Sequence, residues 1–126
     1  MGVLPLILLA ATAIQSQPPE TPAKRLKSSA VVRGFIGGES HDSYVIRAVK
    51  GKTMMVQISW RREGDNNAGF EITESSSFFS NKELITFGEE SKDGTRWTGK
   101  IPKTANYYIY VVAHPTARYT LRVSIK

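Results

Sequence analysis

The chain of 126 residues contains no cysteine. That removes disulfides, thiolate nucleophiles and cysteine-ligated metals together, and with them the cysteine that anchors a lipoprotein. A small domain without disulfides has to be held by its apolar core alone. Histidine is nearly as scarce: there is only His41 and His114, without the His-x-x-x-His spacing that places two imidazoles on one zinc ion. Acidic side chains are outnumbered, 11 against 17 basic, for a net charge of +6.

Charge is missing altogether from the first 19 residues, Glu20 being the first charged side chain. Within that stretch residues 3–13 form an apolar run, too short for a transmembrane helix, which needs about 20 residues. It has the length of the apolar region of a secretory signal. Ala11-Thr12-Ala13 has the small-x-small form that a signal peptidase accepts, although no Lys or Arg precedes the run. We therefore expect residues 1–16 to be a signal peptide and the protein to be periplasmic or secreted, with no stable membrane insertion. The lack of cysteine suits a bacterial periplasm or surface better than a eukaryotic secreted module. Residues 17–28 hold Pro18, Pro19 and Pro22 and little that is apolar, the composition of a disordered tether. Residues 29–126 are then one folded domain.

What fills that domain is β-branched and aromatic residues at alternate positions, with no convincing helical period. Eight strands are expected, at 30–37, 42–49, 52–60, 68–74, 83–88, 94–101, 106–113 and 117–125. In the last, Tyr119, Leu121, Val123 and Ile125 share one face, while Thr120, Arg122 and Ser124 share the other. Met54, Val56, Ile58 and Trp60 make a similar inner row, as do Tyr44, Ile46 and Ala48. Turn residues separate the runs, and Lys50-Gly51 and Asp93-Gly94 are tight-hairpin candidates because glycine tolerates positive φ. Short strands joined by short turns define an all-β, single-domain, eight-stranded antiparallel sandwich, jelly-roll-like. Phe78 and Phe79 fall in an irregular stretch and are expected to plug the core from a loop.

The parts of an active site are not visible. There is no Gly-x-Ser-x-Gly nucleophile elbow, and Ser43, Ser59 and Ser124 fall on strands as solvent-facing residues. Asp65-Asn66-Asn67 lacks the twelve-residue calcium loop and its closing Glu, so it reads as a polar turn. No carboxylate sits in an apolar stretch that would raise its pKa for glycoside hydrolysis. Neither enzyme activity, nor a metal, nor a cofactor is expected. The basic residues are scattered along the sequence, clustering only at 24–27 and at Arg61-Arg62, without interleaved aromatics, so a nucleic-acid partner is not expected either.

Binding is what remains, and loops at the end of a rigid sandwich are its usual seat. Three loops are candidates: 39–42, 61–67 and 114–118. The first two fall at the same end if Lys50-Gly51 marks the other, and the third joins them only if the strand order allows it. From these loops we take Glu39, Ser40, His41, Arg61, Arg62, His114 and Arg118 as the candidate partner-binding residues.

Two segments carry a resemblance. The first is Gly34-x-Ile36 followed by Asp42-Ser-Tyr44-x-Ile46-x-Ala48-x-Lys50-Gly51-Lys52-x-x-x-Val56-x-Ile58-Ser59. The second is Ile101-Pro102-x-x-x-Asn106-Tyr107-x-Ile109-x-Val111, closing with Tyr119-x-Leu121-x-Val123-x-Ile125-Lys126. Together they resemble the bacterial pre-peptidase C-terminal β-sandwiches and, within that group, the periplasmic inhibitors of g-type lysozyme. The small size, with no partner domain, matches the inhibitors better than a module appended to a protease. The resemblance implies a non-enzymatic protein whose partner is a lysozyme or another muramidase, with a loop inserted into the enzyme's acidic cleft. The inhibitors look to use aromatic and arginine side chains at the loop end; here the first loop has Glu39 and His41, and the last keeps Arg118. The alternative it carries is a module that binds glycan or peptidoglycan, with Tyr108 and Tyr110 as an aromatic row, or a structural accessory with no enzyme target.

Overall fold

A computed structural model of the chain describes residues 20–79 and 83–126; the expected signal peptide lies outside the described residues. The strands are β1 (Lys24–Arg25), β2 (Ser29–Gly37), β3 (Asp42–Ala48), β4 (Thr53–Trp60), β5 (Asn67–Thr73), β6 (Glu89–Glu90), β7 (Arg96–Lys100), β8 (Ala105–His114) and β9 (Thr116–Ile125). They form a four-stranded sheet, β1-β3-β8-β5, packed on a five-stranded sheet, β2-β9-β4-β7-β6. The fold is the all-β sandwich that the alternation implies.

The inner faces are the expected ones. Met54, Val56 and Ile58 of β4 and Leu121 and Val123 of β9 are buried, and across the interface they meet Ile46 of β3 and Tyr107, Ile109 and Val111 of β8. Each fully buried aliphatic side chain of this kind contributes about 1.5–3 kcal/mol. The strand period of two puts the intervening residues, Arg122 and Gln57 among them, on the outer face.

Four expectations need correcting. There are nine strands among the described residues, where eight were expected. The segment 83–88 is not a strand: it makes one isolated bridge, Thr73 to Leu84, and the short strand falls just after it at Glu89–Glu90. The folded part begins before residue 29, because Lys24 and Arg25 run parallel to Tyr44 and Val45, and Leu26 is 7% exposed with its N–H donated to the Val45 carbonyl at 2.8 Å. Pairing of this sort uses the backbone, which the polar composition of the segment conceals. Finally, Lys50-Gly51 turns the chain from one sheet to the other instead of closing a hairpin. Asp93-Gly94 does close one, between β6 and β7, with Asp93 Oδ1 accepting from Ser91 Oγ at 2.7 Å and Thr95 Oγ1 at 2.8 Å.

Close approach explains one glycine of the resemblance pattern. Gly34 stands opposite Tyr119 in the β2–β9 ladder, and a Cβ there would lie 2.6 Å from the Tyr119 hydroxyl oxygen. The tyrosine ring occupies the space a side chain would take, which lets its hydroxyl reach the far sheet.

Candidate functional site

The strand order brings all three candidate loops to one end of the sandwich. Gly38 N–H donates to the Pro115 carbonyl at 2.7 Å, tying the β2–β3 loop to the β8–β9 connection. Asn66 ties the third. Its Nδ2 donates to the Arg61 carbonyl at 3.0 Å and the Thr116 carbonyl at 3.1 Å, and its Oδ1 accepts from Glu63 N–H at 3.0 Å. Asn66 is 9% exposed. The polar turn at 65–67 is therefore a latch that fixes the 61–67 loop against β9.

Beneath this end the two sheets are joined by hydrogen bonds. Tyr119 on β9 donates to Asp42 Oδ2 at the start of β3, and with that proton committed the Tyr44 hydroxyl donates to the Tyr119 oxygen. Burial, first of all, pushes the Tyr119 hydroxyl far above the ordinary tyrosine value, and the bond it donates to Asp42 adds to it. Burial also raises Tyr44. The two tyrosine hydroxyls of the floor thus keep their protons well beyond neutral pH.

Above it the predicted residues separate into three groups. Arg118 and Arg61 come together on the outer side of the five-stranded sheet, Arg61 N–H donating to the Arg118 carbonyl at 2.9 Å. The Arg118 guanidinium lies 4.8 Å from the Phe35 ring centroid, and that of Arg62 lies 3.9 Å from the Trp60 ring centroid. Such contacts hold an exposed guanidinium in place for about 0.5–1 kcal/mol each. Arg61 Nε also lies 3.6 Å from Glu63 Oε1, an exposed pair. A shallow cleft of about 490 Å³ opens here, lined by Arg33, Phe35, Trp60, Arg61 and Arg118. Glu39 and Ser40, both exposed, form the tip of the β2–β3 loop, and His114 is exposed at the end of β8, paired with Asn67.

His41 goes elsewhere. Its ring stacks on Phe78 at 3.9 Å and meets Phe79 and Tyr110 edge-on, on the outer side of the four-stranded sheet. This corrects the reading of Phe78 and Phe79 as core plugs: they cap that outer side, and Phe79 is 73% exposed. The segment 75–79 is held by Glu20, whose Oε1 accepts from Phe78 N–H at 2.8 Å. It also covers Tyr110, whose hydroxyl donates to the Ser75 carbonyl at 2.6 Å. Tyr110 is 1% exposed, so Tyr108 and Tyr110 do not offer an open aromatic row. Among the described residues no three His, Cys, Asp or Glu side chains come together in a way that could hold a metal ion.

Phe35 is the residue that reading the sequence missed. The inner row of β2 is Ala30, Val32, Gly34 and Ile36, so Phe35, like Val31, is apolar on the wrong phase. It is 56% exposed. An apolar side chain out of phase on an otherwise regular strand is a signal, readable in the sequence, of an exposed apolar group.

Comparison with known proteins supports the fold. No protein-family model matches the chain, and no curated protein matches it in sequence. Solved structures do. The Aeromonas hydrophila PliG, a periplasmic inhibitor of g-type lysozyme, is similar with a TM-score of 0.64 and 24% identity, covering 83% of this chain and 98% of that one. The Salmonella Typhimurium PliG follows at 0.54 and 22%, covering 82% and 99%. The pre-peptidase C-terminal domain of a Bacillus anthracis collagenase is similar at 0.58 and 20%, covering 88% and 100%. The likeness noted from the two sequence segments is therefore present in three dimensions, as a shared sandwich fold.

Proposed function

We propose that this chain is an exported inhibitor of a lysozyme or related muramidase, acting from the end of the sandwich that carries Arg61 and Arg118. The observation that carries the reading is this pair of exposed guanidinium groups on adjoining backbone. Arg118 is steadied over Phe35, and the loop beside it is latched by Asn66. Muramidases cut glycan with carboxyl groups set in a cleft. A guanidinium offered on rigid strands makes a charge-assisted, two-pronged contact with such a carboxylate, and the ordering cost of binding is largely met before the enzyme arrives. Support also comes from the fold, which is that of proteins described as inhibitors of g-type lysozyme.

In this reading Glu39, Ser40, Arg62 and His114 form the rim of the contact, and His41 supports the fold of the 75–79 segment without touching the partner. Residues 1–16 direct the chain out of the cytoplasm. A net charge of +6 gives no long-range attraction toward a cationic lysozyme, so selectivity rests on the local fit of the two arginines. The glycan-binding alternative needs an exposed aromatic row, and the burial of Tyr110 removes half of the one proposed for it.

The test is turbidity loss of a peptidoglycan suspension by a panel of g-type lysozymes and other muramidases, with and without the mature protein. Inhibition of at least one enzyme is expected, weakened tenfold or more by Arg118→Ala or Arg61→Ala, as loss of a buried charge contact implies about 2 kcal/mol or more. His41→Ala is expected to leave inhibition unchanged. Retention of the protein on insoluble peptidoglycan with no enzyme inhibited would sink the proposal.

A further inference from the structure

The basic residues that are scattered in sequence are gathered by strand register. On the outer face of the five-stranded sheet, Arg122 stands between Val31 of β2 and Gln57 of β4, and Gln57 stands beside Arg96 of β7. Arg33 is opposite Thr120, which is opposite Ser59. Arg118, at the loop end of the same face, lies four residues from Arg122, or about 13 Å along the strand. All of these arginines are exposed. Among the described residues Arg33, Arg96 and Arg122 have no carboxylate partner. Among the described residues the acidic groups near this face lie at its borders, with Glu63 at the loop-end corner, Glu89 on the outermost strand and Asp93 in the β6–β7 turn.

Two further observations define what would fit. The face is a sheet surface, with no deep groove to thread a single polymer strand. It also exposes apolar side chains among its cations: Val31 at 47% and Phe35 at 56%. Planar cations around apolar projections are what an interfacial membrane surface requires, with guanidinium groups on lipid phosphates and the apolar groups among the headgroups.

We propose that the outer face of the five-stranded sheet, centred on Arg33, Arg96 and Arg122, docks peripherally on an anionic phospholipid bilayer. The surface is the occupant favoured by the charge and by the flatness together. A second copy of the chain is disfavoured, since two such faces repel one another. No helix among the described residues is long and apolar enough to cross a membrane, and the contact proposed is one that salt reverses.

Co-sedimentation of the full mature chain with phosphatidylcholine vesicles, with and without phosphatidylglycerol, tests this. Binding is expected only with the anionic lipid, falling as ionic strength rises. Each arginine removed should weaken it about fivefold, the factor matching about 1 kcal/mol per basic residue at an anionic surface. The triple variant Arg33→Gln, Arg96→Gln, Arg122→Gln should therefore lose about a hundredfold. A charge-matched control on the other sheet, Lys24→Gln, Arg25→Gln, Arg47→Gln, should lose far less. Both variants are checked for an unchanged thermal midpoint and for sedimentation without vesicles. Equal losses in the two triples would show a general charge effect and overturn the assignment of the face. Absence of wild-type binding to the anionic vesicles overturns it as well, as does retention on a soluble polyanion such as dextran sulfate without vesicle binding.

Discussion

At the scale of single residues, Gly34 and Asn66 do more for the loop end than the charged residues around it. Gly34 leaves room for the Tyr119 ring to cross toward Asp42, so Gly34→Ala sets a methyl group against that ring. Overpacking of this kind costs about 1–3 kcal/mol, read as a lower midpoint in urea with an unchanged slope. Asn66→Ala strands the Arg61 and Thr116 carbonyls that its amide satisfies. A loss of about 1–3 kcal/mol is expected, together with weaker inhibition, since the loop that follows Arg61 is then no longer latched to Thr116. If Asn66→Ala left both midpoint and inhibition untouched, the latch would be no more than a turn.

At the scale of elements, β1 is the one that composition hides. Leu26 is buried, and the strand before it extends the four-stranded sheet in parallel, so Leu26→Ala is expected to cost about 2 kcal/mol or more. A domain beginning at residue 29 should likewise have a lower thermal midpoint than one beginning at residue 20. Those two measurements separate a folded strand from a tether. The longer strands were legible because each has one buried and one solvated face, and that alternation survives in the order of residues. What was not legible depended on partners. Tyr110 is outward by phase and yet buried, because the 75–79 segment folds over it. Phe78 and Phe79 looked like core residues, but the core had already been filled from the strands. The arginines looked dispersed because neighbours in a sheet are far apart in the chain, and only the register of β2, β9, β4 and β7 sets them side by side. The candidate loops could be named from the sequence, whereas the face that the arginines share could not.

At the scale of the whole molecule, four buried tyrosines set the alkaline limit of stability. Burial is the first cause that holds Tyr44, Tyr107, Tyr110 and Tyr119 above the ordinary value of 10, Tyr110 being pushed up to about 12. The folded chain keeps protons that the unfolded chain releases, so stability is full below about pH 10 and falls as pH rises beyond it. Each tyrosine adds up to about 1.4 kcal/mol per pH unit to that slope. Denaturant midpoints measured between about pH 9 and pH 12 should fall, and Tyr119→Phe should lessen the slope by one proton; a flat profile would contradict the burial of these hydroxyls.

The strand order has a consequence for how the chain reaches this state. Consecutive strands lie in opposite sheets throughout, except for the β6–β7 hairpin, and β9 is the strand that joins β2 to β4. Ser29 therefore has to find Ser124 across almost the whole domain. Contacts so remote make folding slow, on the scale of milliseconds to seconds, because a large loop must close before the pairing returns anything. Until β9 is synthesised the five-stranded sheet lacks the strand that joins β2 to β4, so the partly made chain has no native sandwich to collapse into. A polypeptide that stays open until its last strand arrives would remain threadable through a translocation pore, as the export proposed above requires.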